Sequence, residues 1–136
     1  MSDAVHEGGC LCGAVRYAAR GPALLTEYCH CGMCRKAAGA PVVAWADFPA
    51  AQVTWTRGAP RWRRSSPGAE RGFCAECGSA LAFRRIGNTV KVTLTLGSLD
   101  EPARLPPAQH IFTDDRVPWL EIADDLPRYG QARPEP

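Results

Sequence analysis

The strongest periodicity in the chain lies at residues 89–96, where Val90, Val92, Leu94 and Leu96 alternate with Lys91, Thr93 and Thr95. A period of two with β-branched residues predicts a half-buried strand, apolar on one face and polar on the other. Shorter apolar runs predict further strands at 14–18, 24–28, 41–46, 53–56 and 80–84. Residues 33–38 suit a short helix, which Gly39 would stop. Ile86-Gly87-Asn88-Thr89 supplies the turn chemistry of a hairpin between the strands ending near Arg84 and starting at Thr89. Twelve prolines and thirteen glycines are spread along the chain, which favours many short strands over long helices. No internal repeat interrupts this pattern. Residues 130–136 are rich in proline and polar side chains and are expected to be loosely ordered. The prediction is therefore one mainly β domain over 1–129, followed by a short tail.

Composition narrows the function classes. With 136 residues, 46% hydrophobic and 22% charged, the chain has the make-up of one globular unit with a real core. A formal net charge of +2 is too weak to imply a nucleic-acid or membrane-surface partner. No apolar run approaches the roughly 18–20 residues that span a bilayer. Residues 1–9 are polar and lack a basic flank and an apolar segment, so no secretory signal is expected and the expected location is the cytoplasm.

The seven cysteines change the picture most. They form three clusters: Cys10 and Cys12 as C-x-C, Cys29, Cys31 and Cys34 as C-x-C-x-x-C, and Cys74 and Cys77 as C-x-x-C. An odd number cannot pair completely, and in a reducing compartment clustered thiols read as metal or redox sites. A structural zinc takes four closed ligands, whereas a catalytic zinc keeps three protein ligands and an open position. Two pairs and a triplet fit one four-cysteine site and one three-cysteine site with a vacancy. Spacing alone leaves other groupings open: the triplet could share ligands with a pair, or His6, His30 or His110 could supply a fourth ligand. Glycines beside the clusters permit the tight turns that point two sulfurs at one metal.

Three segments carry a resemblance to a known family. They are Gly8-Gly9-Cys10-Leu11-Cys12-Gly13-Ala14-Val15-Arg16-Tyr17, Cys29-His30-Cys31-Gly32-Met33-Cys34-Arg35-Lys36 and Arg71-Gly72-Phe73-Cys74-Ala75-Glu76-Cys77-Gly78-Ser79. A fourth comprises His110-Ile111-Phe112, Trp119 and the run 122–129. In order and spacing they resemble the glutathione-dependent formaldehyde-activating (GFA) family, which shares the Mss4-like fold with centromere protein V. The resemblance implies small antiparallel sheets built around two zinc ions per chain. It implies that Cys10, Cys12, Cys74 and Cys77 hold a structural zinc and that Cys29, Cys31 and Cys34 hold a catalytic one. The implied activity is carbon–sulfur lyase chemistry: glutathione adds to formaldehyde to give S-hydroxymethylglutathione, or the reverse. The partners are then a small-molecule thiol and an aldehyde.

Other residues enter by neighbourhood. Three thiolates on zinc leave a net negative charge, which suits docking of an incoming thiol better than activation of water. Arg35 and Lys36, adjacent to the triplet, could offset that charge and meet a glutathione carboxylate. Arg71 and His110 lie within matched segments and complete the candidate substrate-binding set. His30 could shuttle a proton, or simply point away from the metal. The arginine-rich stretch 57–85 (Arg57, Arg61, Arg63, Arg64, Arg71, Arg84 and Arg85) could receive the two glutathione carboxylates, or a nucleic acid with help from Trp55 and Trp62, but most of it reads as a solvated strand face. The tryptophans read as core, with a cleft lining as the alternative. A non-catalytic zinc-stabilised module that binds glutathione or a macromolecule is the competing function. The triplet argues against it, because such a module has no need of a second site with a vacancy.

Overall fold

The computed structural model describes residues 4–133 and shows two sheets packed face to face. The smaller contains β1 (Val5–Gly9), β2 (Arg16–Arg20) and β5 (Val53–Arg57), all antiparallel with β2 central. The larger has seven strands: β3 (Leu25–Cys29), β4 (Val43–Pro49), β6 (Arg61–Ser66), β7 (Ala69–Phe73), β8 (Ala80–Arg85), β9 (Lys91–Thr95) and β10 (His110–Ile111). Their order across the sheet is β10-β3-β4-β9-β8-β7-β6, and every neighbouring pair is antiparallel except β10 with β3. The one α-helix among the described residues, α1 (Gly32–Ala38), follows β3. The mainly β, single-domain expectation holds.

The core lies between the sheets. Tyr17 and Ala19 from β2 pack with Ala46 and Phe48 of β4, Leu81 and Ala82 of β8, and Leu94 of β9. Burial of such apolar side chains is the main favourable term in folding, worth about 1.5–3 kcal/mol for each large residue. Gly8 lets β1 approach this core: a Cβ there would lie 2.5 Å from the Tyr17 hydroxyl oxygen and 2.6 Å from the Ser98 carbonyl oxygen. The Tyr17 hydroxyl is instead paired with the Ser98 hydroxyl at 2.6 Å.

The strand expected at 89–96 is confined to Lys91–Thr95 and is covered on both faces. Val92 and Leu94 meet the core, while Thr93 and Thr95 are also buried, on the opposite face. Val90 is 76% exposed, because Asn88 Oδ1 accepts the backbone N–H groups of Val90 and Lys91 and keeps Val90 in the turn. That second face of the large sheet carries the candidate site. Sequence periodicity missed β1, β6, β7 and β10. The tail expected at 130–136 is partly engaged: the carbonyls of Gly130 and Gln131 accept from Asp114 and Phe112, and residues 134–136 lie outside the described residues.

Candidate functional site

The two cysteine pairs meet although they are far apart in sequence. Cys10 and Cys12 lie on the turn between β1 and β2, and Cys74 and Cys77 on the turn between β7 and β8. All four sulfurs lie within 4.8 Å of one another. Cys10 Sγ is 3.7 Å from Cys12 Sγ, which is 3.8 Å from Cys74 Sγ. A tetrahedral zinc with bonds of about 2.3 Å places its sulfurs about 3.8 Å apart, so the donor set fits that ion. Backbone N–H groups aim at the sulfurs: Val15 donates to Cys10, and Glu76 and Cys77 donate to Cys74. The Ser79 hydroxyl and the Cys12 backbone hold the Cys77 thiol down at about 5. None of the seven cysteines forms a disulfide.

The triplet forms a second, separate centre, so the pairs and the triplet do not share ligands. Cys29 ends β3, Cys31 caps α1 and Cys34 lies in its first turn. Their sulfurs too lie within 4.8 Å of one another. Cys31 Sγ accepts from the Cys34 N–H at 3.3 Å, the usual geometry of an N-cap. Thiol donation from Cys29 and Cys34 pulls Cys31 far down, while Cys29 is pushed far up by Cys31, by Cys34 and by burial. Three crowded thiols cannot all ionise unless a cation joins them, which again fits a metal centre. No histidine completes this set within the same radius among the described residues. His6 packs on Phe48 in the core, on the far side of β4.

The triplet opens into a cleft of about 700 Å³ on the large sheet, within the range of ligand pockets. Trp45 of β4, Arg71 of β7 and Phe83 of β8 form its floor. Arg71 Nη2 donates to Cys34 Sγ at 3.6 Å, and its guanidinium lies 5.2 Å from the Phe83 ring centre and 6.0 Å from that of Trp45. Lys36, Arg85 and Arg133 also reach the cleft. Glu27, Asp47 and Asp115 face it too, fewer than the six lysines and arginines of the lining; Asp47 is bonded to Thr93 and paired with Lys91 at 3.2 Å, and Glu27 accepts from Gln109. The wall is thus cationic with an aromatic floor, suited to a thiol that carries carboxylates.

Of the four residues expected to bind substrate, Lys36 and Arg71 line the cleft, whereas Arg35 and His110 do not. Met33 and Lys36 share one face of α1 by their spacing of three, and Arg35 is turned off that face. His110 is 3% exposed and lies behind the triplet. Its Nδ1 is 2.9 Å from His30 Nε2, and its Nε2 is 2.9 Å from Asp124 Oδ2. His30 is only 1% exposed and does not reach the cleft. With Asp124 accepting from His110 Nε2, His110 Nδ1 accepts from His30 Nε2, and this chain braces the loop between Cys29 and Cys31. Phe83 and Asp124 were missed, and Arg85 was singled out only as one of the arginines of the stretch 57–85. Phe83 sits on a predicted strand, but nothing in the sequence says which of its faces lines a cleft.

Comparison with known proteins agrees with this geometry. A family model described as "Glutathione-dependent formaldehyde-activating enzyme" matches residues 5–115. A protein of Halomonas elongata named "Putative glutathione-dependent formaldehyde-activating enzyme" is 31% identical over 126 residues, covering 85% of this chain and 80% of that protein. A crystal structure of a Rhodobacter sphaeroides protein superposes with a TM-score of 0.56 at 23% identity, covering 69% of this chain and 87% of that one, and supports the fold.

Proposed function

Since the chain belongs to the glutathione-dependent formaldehyde-activating family, we propose that it is a zinc-dependent carbon–sulfur lyase-type enzyme that joins glutathione to formaldehyde, or runs the reverse reaction. The observation that carries this reading is the triplet of sulfurs within 4.8 Å, open to a cationic cleft that holds Arg71. Two zinc ions per chain complete the proposal, one structural at Cys10, Cys12, Cys74 and Cys77, and one catalytic at Cys29, Cys31 and Cys34. Zinc at the triplet supplies positive charge that favours the thiolate form of a nearby sulfur.

The protein's own residues then have defined tasks. Lys36, Arg85 and Arg133 hold the carboxylates of the thiol at the cleft wall. Arg71 holds positive charge beside Cys34 and offsets the negative charge gathered there. Trp45 and Phe83 shed water from the reacting atoms, which strengthens each of these interactions. The sulfur attacks the aldehyde carbon, a carbon–sulfur bond forms, and the thiol proton ends on the former carbonyl oxygen. The reverse step returns it. Among the described residues no helix is long and apolar enough to cross a membrane. A cytoplasmic setting, where thiols stay reduced, belongs to the proposal.

Metal content and activity test it together. Wild-type protein purified without chelator is expected to hold two zinc ions, and Cys31→Ser one. Wild type is expected to speed glutathione–formaldehyde exchange in nuclear magnetic resonance spectra, and Cys31→Ser to lose that acceleration. Two zinc ions without any acceleration would overturn the enzymatic reading in favour of a binding module.

A further inference from the structure

A second cavity, of about 380 Å³, lies on the same face of the large sheet. It meets the first at Cys34, Trp45 and Arg71, which line both. Its character differs. The cleft described above is ringed by cations, whereas this chamber is walled by Ala37 and Ala38 of α1, Val43 of β4, Phe73 of β7, and Ala80 and Ala82 of β8. Arg63, Ser65 and Thr95 are its polar members, and Thr95 is occupied by its bonds to the Ala80 carbonyl and the Ser98 hydroxyl. The small side chains matter, because alanines at four lining positions are what leave the volume open. Formaldehyde has one carbon and no hydrocarbon chain, so it has no use for an apolar chamber of ligand size.

We propose that this chamber receives the hydrocarbon chain of the aldehyde, so that the substrates include straight-chain aliphatic aldehydes of several carbons and formaldehyde is the smallest of a series. The inference rests on the carbon–sulfur reading above and extends it to the second reactant. The thiol lies in the cationic cleft and the aldehyde carbon sits at the junction beside Cys34 and Arg71. The chain R of the aldehyde RCHO lies against Ala37, Ala38, Val43 and Phe73. The step balances without an oxidant: the sulfur bonds to the carbonyl carbon, the carbon–oxygen double bond becomes single, and the thiol proton passes to that oxygen to give a thiohemiacetal.

Two measurements on the metal-loaded protein test this. The first is calorimetric binding of S-methylglutathione and S-hexylglutathione, stable thioethers that cannot turn over. Each buried methylene contributes about fourfold in affinity, so the hexyl compound is expected to bind at least tenfold more tightly than the methyl compound. Ala37→Leu, a substitution by another good helix former at an exposed position, is expected to erase that difference while leaving S-methylglutathione binding unchanged. Ala80→Phe, on another element, is expected to do the same. The second measurement compares acceleration of glutathione exchange with hexanal and with formaldehyde. Acceleration with both, and selective loss of hexanal in Ala37→Leu, is the expected result. Equal affinities for the two thioethers, or equal loss of both aldehydes in Ala37→Leu, would overturn the proposal. Acceleration of formaldehyde alone would sink the chamber and leave the carbon–sulfur reading standing. If neither aldehyde is accelerated, both fail.

Discussion

Replacing Cys77 by serine is expected to unfold the molecule well before it affects any chemistry. The four-sulfur centre ties the turn between β1 and β2 to the turn between β7 and β8, with Cys12 and Cys74 separated by 62 positions. Treated as a cross-link of that length, the centre removes about 4 kcal/mol of chain entropy from the unfolded state at 25 °C. A zinc ion held there, as proposed, would add to this, since structural zinc contributes of order 10 kcal/mol in small domains. Total stabilities lie near 5–15 kcal/mol, so loss of one ligand takes a large share. The assay is urea unfolding followed by tryptophan fluorescence in zinc-buffered solution, with Cys31→Ser as the control. Cys77→Ser is expected to lose at least about 4 kcal/mol or to lack a folded baseline. Cys31→Ser is expected to lose clearly less than Cys77→Ser, because the triplet closes only the short span 29–34. Equal effects from the two variants, or a Cys77→Ser midpoint equal to wild type, would refute the division into a structural and a catalytic centre.

Three further outcomes follow from single contacts. Arg71→Met keeps the length of the side chain but removes its charge beside Cys34, and kcat/KM for glutathione is expected to fall about 10- to 100-fold with zinc content unchanged; an unaltered kcat/KM would remove Arg71 from the site. Arg16 donates to both carboxylate oxygens of Asp100, and that bonding holds Asp100 below its ordinary value. A lowered folded-state value means the pair stabilises above pH about 4 and loses this as pH falls through the folded value. Because the pair is solvent-exposed, the difference in unfolding free energy between wild type and Asp100→Asn should be at most about 1 kcal/mol at pH 7, and it should close as pH falls through the lowered Asp100 value. Tyr17→Phe removes the buried hydroxyl bonded to Ser98 and is expected to cost about 1 kcal/mol by the same unfolding assay, with no change in metal content.

What the sequence made legible follows from the range of the interactions involved. The cysteine clusters were readable because ligand pairs are local, and the pairing of Cys10 and Cys12 with Cys74 and Cys77 came from the family resemblance. The strand at Lys91–Thr95 and the helix ending at Gly39 were readable because each has its own period or stop signal; Gly39 adopts the left-handed conformation expected at a helix C-terminus. β1 was not readable, since Val5-His6-Glu7-Gly8-Gly9 has no apolar alternation, and its glycines answer to Tyr17 and Arg16 elsewhere in the chain. β6 hid behind its charge. The bracing of His30 by His110 and Asp124 depends on a two-residue parallel pairing of β10 with β3, which leaves no periodic trace. On sequence alone both histidines are candidates for a direct role. In the structure both are buried and neither lines the cleft.

The arginines of β6 take on another meaning from the order of the sheet. β6 is the last strand of the larger sheet, so one side of its backbone has no neighbouring strand among the described residues. Such an edge is a template on which another chain can add a strand, and natural proteins blunt it with charge. Arg61, Arg63 and Arg64 lie along this strand and are exposed. Two copies brought edge to edge would press these cations together. Repulsion of this kind guards the edge against growth into stacked sheets, and neutralising the three side chains would turn a solvated rim into a seed for aggregation.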